Sequence, residues 1–257
     1  MAIGERYEVK KILGQGGNAK VYLVYDRDCG KNRAVKAVKK TGDGQAHHIV
    51  KTETELIRKL NYPYFPEIIE MLETADTDYI VMEYLEGESL GNRLRRMGPQ
   101  SQKEVLRWGK DLSLMLDYLH HCSPPVIYRD MKPDNIMVQS GGNLRLIDFG
   151  AVLELGEENK AANLLLGTRG YAAPEQFDWK RQADPRTDIY GLGVTMYQLL
   201  TGKDPRMALD KGFSIRKCRR SFSRKLDKII RTCTKENPSE RYQSCKELWE
   251  ELCNLNL

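Results

Sequence analysis

"VIYRDMKPDNIMV", residues 126–138, sets a run of charged and polar side chains between two apolar ends. Val126, Ile127, Ile136, Met137 and Val138 read as short buried strand ends. Arg129, Asp130, Lys132, Asp134 and Asn135 cannot enter a core unpaired. The pattern describes a tight polar loop held still by its flanks. Further on, "LRLIDFG" (144–150) reads as a strand ending in Asp148. An Asn and an Asp offer hard oxygen ligands, suited to Mg2+ shared with phosphates and not to zinc. Lys132 can neutralise a phosphate in transfer, and Asp130 can accept or steer a hydroxyl proton. Taken alone, a D-x-K-x-x-N loop is more often a solvated turn.

Upstream, "YEVKKIL" (7–13), "AKVYLVYD" (19–26), "RAVKAVK" (33–39) and "YIVMEYL" (79–85) are short β-rich runs with turn signals between them. "LGQGGNAKV" (13–21) joins the first two. Gly14, Gly16 and Gly17 permit a tight turn and close backbone approach to a phosphate, although an ordinary β-turn explains them equally well. The loop precedes a strand, which disfavours dinucleotide-binding and Walker-type phosphate loops. Lys36 has the periodicity of an exposed strand position. Glu53 lies on the apolar side of a helix over 48–60, where an acid wants a partner, and Lys36 is the natural one.

Downstream the signal is helical. Residues 101–121 carry apolar positions at 105, 108, 112, 115, 116 and 119, one wide face, with Ser101 and Glu104 spaced as a capping box. Residues 187–202 are apolar nearly all round and belong inside the larger lobe. Residues 223–234 and 244–253 are two further amphipathic helices.

The chain of 257 residues is 40% hydrophobic and 30% charged, ordinary values for a globular protein with a sizeable core. Its formal charge of +5 is a mild excess, below what a nucleic-acid binder shows. The densest basic run, "IRKCRRSFSRK" (215–225), reads as a solvated face. Six scattered cysteines form no CxxC pair, which argues for free thiols and a reducing cytoplasmic setting. "HHC" (120–122) lacks a second ligand cluster and is not read as a metal site. No apolar run is long enough to span a membrane and the start carries no signal segment.

Taken in order, these motifs resemble a eukaryotic-type (Hanks-type) Ser/Thr protein kinase catalytic domain of bacterial flavour, from about residue 7 to 253. The resemblance implies an α+β, bilobal fold. A small β-rich lobe with one long helix covers about 7–82, a hinge about 83–87, and a larger helical lobe about 88–253. It implies ATP as substrate, with Leu13, Gly14, Gln15, Gly16, Gly17, Asn18, Ala19 and Val21 forming the lid over the nucleotide. Ala34, Met82, Glu83, Leu85, Ser89 and Met137 then surround the nucleotide, Met82 as gatekeeper in the "MEYL" hinge. Lys36, paired with Glu53, holds the phosphates. Asp130 is the base, Lys132 meets the γ-phosphate, and Asn135 and Asp148 hold Mg2+, or Mn2+ in its place. Gly167 and Thr168 of "GTRGYAAPE" (167–175) belong to the substrate segment. Glu175 is expected to pair with Arg241 of "ENPSERY", Tyr128 to pack on Phe149, and Asp188 to anchor the catalytic-loop backbone.

Two departures from the pattern stand out. Ala19 replaces the loop's third Gly, and Tyr128 replaces the usual His of "HRD". Lys132 and the Gly167–Thr168 pair resemble the Ser/Thr branch, and the "APE" segment favours a protein substrate over a small molecule. A pseudokinase scaffold is the non-enzymatic alternative, disfavoured because Lys36, Glu53, Asp130, Asn135 and Asp148 are all present. No nucleic-acid or membrane contact is implied. Between Asp148 and Glu175 the only hydroxyl side chains are Thr168 and Tyr171. Activity without phosphorylation of this segment is therefore expected. Ordering is assigned to Leu164–Leu166 packing, with Arg129 meeting either a carboxylate (Glu154, Glu157 or Glu158) or local carbonyls.

Overall fold

The computed structural model describes residues 2–16, 19–40, 45–60, 63–156, 167–178 and 181–255. They divide into two compact units. The first is Met1–Gly87 with Gln139–Gly141 and Arg145–Gly150; the second holds the remainder, through Leu257.

The first unit contains β1 (Ala2–Ile3), β2 (Tyr7–Gln15), β3 (Ala19–Asp26), β4 (Lys31–Lys39), α1 (Gln45–Lys59), β5 (Ile68–Glu73) and β6 (Thr77–Glu83). The strands form one antiparallel sheet in the order β1-β2-β3-β4-β6-β5. Alternation along β4 explains its two faces. Val35 joins Tyr7, Val24 and Val81 in one apolar cluster, whereas Ala34 and Val38 join Val50 of α1, Ile80 and Met82 in another. At period two, Lys36 shares the face of Ala34 and Val38. Helix α1 is tied to the sheet by His47, whose Nδ1 lies 2.8 Å from Asp78 Oδ2, while Lys40 Nζ sits 3.2 Å from the other oxygen of this buried carboxylate.

Strand β5 was not legible in the sequence. Its ladder with β6 has a register shift between Ile68 and Glu70, so the apolar positions lose strict alternation. Strand β6 also stops at Glu83, short of Leu85. Its ladders end there with Arg33 on one side and the Glu83 N–H to Glu67 O bond (2.8 Å) on the other.

The second unit contains β7 (Glu88–Ser89), α2 (Leu90–Met97), α3 (Gln102–His120), β8 (Val126–Ile127) and β9 (Ile136–Val138). After β10 (Leu144–Leu146) come β11 (Leu153–Glu154), α4 (Pro185–Thr201), α5 (Ile215–Cys218), α6 (Arg224–Cys233) and α7 (Cys245–Cys253). Helix α4 is buried along almost its whole length, with α3, α6 and α7 packed around it. Ser101 caps α3 by accepting the Glu104 N–H at 3.2 Å, but its hydroxyl bonds the Glu104 carboxylate at 2.9 Å. The sequence pattern of a capping box is thus met side chain to side chain. All six cysteines are free.

Candidate active site

In the first unit, the turn between β2 and β3 is closed by the Gly16 N–H on Ala19 O at 2.9 Å. Gly17 and Asn18 lie outside the described residues. A Cβ built on Gly14 or Gly16 would meet no atom within 4 Å, so the backbone there is open to a large anion. Ala19 and Val21 pack onto the Ala34–Met82 cluster, and Ala34 and Met82 are cross-strand partners. Together they make an apolar seat on the face that also carries Lys36.

Lys36 Nζ donates to Asp148 Oδ1 at 2.9 Å. The side chain of Glu53, its expected partner, lies outside what the structure describes; Glu55 is exposed. Asp148 does not end a strand, because β10 stops at Leu146. The Gly150 N–H turns back onto Asp148 Oδ1 at 3.2 Å, an Asx-type turn that breaks the extended run. The segment is pinned at three further points. The Leu146 N–H bonds Tyr64 O at 3.0 Å. Arg145 Nη2 reaches Phe65 O and the Glu83 carboxylate. Phe149 meets Phe65 edge-on with ring centroids 5.0 Å apart. Phe65 and Arg145 were not singled out from the sequence, since nothing local marks them.

In the second unit, the opening stretch folds as β8, a polar loop, one 3-10 turn (Pro133–Asn135) and β9. Its polar groups bond one another. Lys132 Nζ donates to Asp130 Oδ2 (2.7 Å) and Thr168 Oγ1 (2.7 Å). The Thr168 hydroxyl donates to Asp130 Oδ1 at 2.7 Å. Asn135 Nδ2 donates to Asp130 O (3.0 Å) and Oδ2 (2.8 Å). Both Asn135 bonds use the amide nitrogen, which leaves Oδ1 as the atom able to ligate a cation. A phosphate on Thr168 would break two of these bonds. Met137 pairs across the ladder with Ser89, whose hydroxyl caps α2 by accepting the Asn92 N–H at 3.0 Å.

The loop rests on α4. The Tyr128 and Arg129 N–H groups donate to the two oxygens of Asp188 at 2.8 and 2.7 Å, and His120 Nε2 meets Oδ2 at 2.8 Å. Thr195 Oγ1 donates to Met131 O at 2.9 Å. A Cβ on Gly191 would come within 3.1 Å of Met131 Cβ, so glycine permits this close approach. Gln176 Nε2 donates to Arg129 O at 2.9 Å. Arg129 itself has φ 63, a left-handed conformation uncommon for a non-glycine residue, and these contacts hold it there. Its guanidinium donates to the carbonyls of Ala151 (2.5 Å) and Val152 (3.2 Å). Burial lowers its pKa, opposed by the Asp188 charge. Glu157, Glu158 and Leu164–Leu166 lie outside the described residues. In the sequence His120 was weighed only as part of "HHC" and not read as a metal ligand; its bond to Asp188 was not foreseen, yet it follows Leu112 and Leu116 at four-residue spacing, the signal of a buried position.

Asp188→Ala is expected to lower kcat by about 10²-fold, the cost of a small misplacement of a catalytic group. The KM for ATP should stay near the wild-type value, because the Asp188 carboxylate bonds the loop backbone and His120, neither of which is assigned to the nucleotide. Steady-state kinetics check this, and an unchanged kcat would deny Asp188 its positioning role.

A family model described as "Protein kinase domain" matches residues 7–256. The chain belongs to the protein kinase domain family. It is 33% identical over 200 residues to sperm motility kinase 2B of Mus musculus, covering 78% of this chain and 40% of that one. Ribosomal protein S6 kinase alpha-6 of Danio rerio is 29% identical over 247 residues, covering 92% of this chain and 33% of that one. Serine/threonine-protein kinase PrkC of Bacillus subtilis (strain 168) is 29% identical over 260 residues, covering 96% of this chain and 40% of that one. The chain therefore spans a third to two-fifths of these relatives' length. ATP is the family's phosphoryl donor. The residues present suit it: within the first unit the open glycine turn beside an apolar seat fits a nucleotide and the Asp148 carboxylate is a hard oxygen donor, and within the second unit the Asn135 amide oxygen is another. Among the described residues, no helix is long and apolar enough to cross a membrane.

Proposed function

We propose that this kinase domain transfers the γ-phosphate of ATP to Ser and Thr hydroxyls of proteins. The observation that carries the reading is the Asp130–Lys132–Thr168–Asn135 cluster, in which one carboxylate is fixed by three neighbours. In the reaction the substrate hydroxyl oxygen bonds the γ-phosphorus, the bond to the bridging oxygen breaks, and ADP leaves. Asp130 takes the hydroxyl proton or steers it. Lys132 neutralises charge on the transferring group, and Lys36 anchors the phosphates. Asn135 in the second unit and Asp148 in the first each offer a hard oxygen ligand to Mg2+, which would supply neutralising charge to the phosphate oxygens. Such chemistry asks mainly for position and electrostatics, and a fixed hydrogen-bonded cluster provides both. We assign the nucleotide to the region around residues 7–82, with 83–87 as hinge and 88–253 as the protein-substrate lobe. Thr168 bound to both Asp130 and Lys132 supports the Ser/Thr assignment.

The test is labelled ATP with a generic protein substrate and mass spectrometry of the products. Phosphoserine and phosphothreonine are expected. Lys36→Met and Asp148→Asn should each lower the rate by about 10²–10³-fold, as loss of one preorganised charge commonly does. ATP binding without any labelled product would make the domain a pseudokinase, and label confined to a small molecule would move it to another kinase class.

A further inference from the structure

Charge is unevenly placed in this molecule. Residues 203–231 hold eleven Lys and Arg against three Asp, whereas the other 228 residues hold 30 bases and 33 acids. The net positive charge of the chain thus comes from one segment of the second unit. Of its three acids, Asp210 is exposed and the other two are engaged. Asp204 is paired with Arg206 at 2.5 Å. Asp227 is buried and spent on structure, accepting Ser214 Oγ (2.8 Å) and the Arg216 N–H (3.0 Å). Among the described residues, Arg206 is the one base of this segment with a carboxylate partner.

Folding places four of the remaining bases on one face of α6 and two more in the turn that leads to it. Buried Asp227 of α6 clips the start of α5, and Lys217 Nζ donates to Lys211 O at 2.6 Å. Helix α6 buries Leu226, Ile229, Ile230 and Cys233, so Arg224, Lys225, Lys228 and Arg231 fall on its outer side. At about 100° per residue those four positions span one face, and about 10 Å of helix. Arg219 and Arg220 are exposed in the turn leading to it. The strip begins at the substrate segment: a Cβ on Gly170 of "GTRGY" would lie 3.0 Å from Arg206 Cγ.

We propose that this strip is a docking surface for an acidic stretch of the protein substrate, outside the phosphorylated site. The inference rests on the protein-kinase reading and names the class of substrate. Two features choose a polypeptide over a nucleic acid. The aromatic side chains of the segment, Phe213 and Phe222, are buried at 3% and 8% exposure and offer no stacking platform. Met207 and Leu209 are instead 70% and 41% exposed beside the bases, a fit for apolar side chains interspersed among acids. Unpaired cations facing solvent steer an anionic partner and fix its register.

The experiment uses the whole chain and a fluorescent peptide of alternating Glu and Leu, followed by anisotropy without ATP. Binding should weaken about tenfold between about 50 and about 300 mM salt. The triple variant Arg219→Gln, Arg220→Gln, Lys228→Gln should bind about tenfold more weakly at low salt, with an unchanged melting temperature. Lys225→Gln with Arg231→Gln serves as a second variant should the triple misfold. In turnover, KM should rise about tenfold for a substrate carrying the acidic stretch, and kcat/KM should not change for one lacking it. Equal peptide binding by wild type and variants, or binding insensitive to salt, overturns the proposal. So does a strip that binds single-stranded RNA or phosphatidylserine vesicles but not the peptide. Intact peptide binding with no phosphotransfer would overturn the kinase reading and leave the docking surface standing.

Discussion

Asp130→Asn is expected to lower phosphotransfer by about 10³-fold while ATP still binds. The change is nearly isosteric, so the loss is one of charge and proton acceptance. Asp130 now receives three donors, Lys132 Nζ and Asn135 Nδ2 on Oδ2 and the Thr168 hydroxyl on Oδ1. Its side chain is only 13% exposed, so water cannot take over. An Asn keeps one acceptor oxygen. If that oxygen faces Lys132 and Asn135, its NH2 faces the Thr168 hydroxyl, which can rotate to accept. The cluster's shape then survives without a group able to take the substrate proton. General-base assistance is worth about 10²–10⁴ in rate, and the lost negative charge beside Lys132 adds to it. Single-turnover kinetics with saturating ATP, beside a nucleotide-binding titration, check the expectation. A rate within about threefold of wild type would remove Asp130 from the chemistry.

Arg241→Ala is expected to destabilise the domain by about 3–5 kcal/mol, the cost of orphaning one member of a buried pair. Arg241 is 0% and Glu175 2% exposed, and the guanidinium meets the carboxylate through two bonds of 2.6 and 2.8 Å. Arg241 also donates to the carbonyls of Lys235 (2.8 Å), Arg186 (2.9 Å) and Glu236 (3.0 Å), and lies over the Tyr190 ring. Alanine would leave a buried carboxylate with Thr187 Oγ1 as a remaining donor at 3.0 Å. For a chain of this size the melting temperature should fall by about 10 °C. Replacing both partners with apolar residues should cost less than replacing Arg241 alone, since no unpaired charge remains. Calorimetry measures both. An Arg241→Ala melting point within about 2 °C of wild type would mean that the carboxylate is neutralised some other way.

Much of the scaffold could be read from periodicity. The wide apolar face of α3 and the all-round apolarity of α4 report what each helix buries, and local spacing encodes that directly. Strand β3 has the bounds its sequence suggested, Ala19–Asp26, because Gly-rich and charged turns bracket it. The bulge in β5 hid that strand, and the short, polar α2 offered too narrow an apolar stripe to see. The polar loop between β8 and β9 was evident from its own composition, although the roles of its residues came from the family likeness and not from spacing.

Residue types and their order were enough to determine the kind of protein: an apolar-anchored loop holding Asp130, Lys132 and Asn135, a glycine turn before a strand, and an Asp beyond a short apolar run. Partner choice lies beyond local pattern: the family likeness implied the Arg241–Glu175 pair, whereas the Lys36–Asp148 and His120–Asp188 contacts came from the tertiary structure. Lys36 meets Asp148 across 112 positions, Arg241 meets Glu175 across 66, and His120 meets Asp188 across 68. The same holds for the basic strip, which the sequence presented as an ordinary solvated run. Its charge imbalance can be counted in the sequence, but its presentation cannot be read there: only the structure buries Asp227 and places Arg224, Lys225, Lys228 and Arg231 on one side of α6. The physical reason is range. Burial and turn preferences act within a few residues, whereas a hydrogen bond or an ion pair depends on where distant backbone segments come to lie.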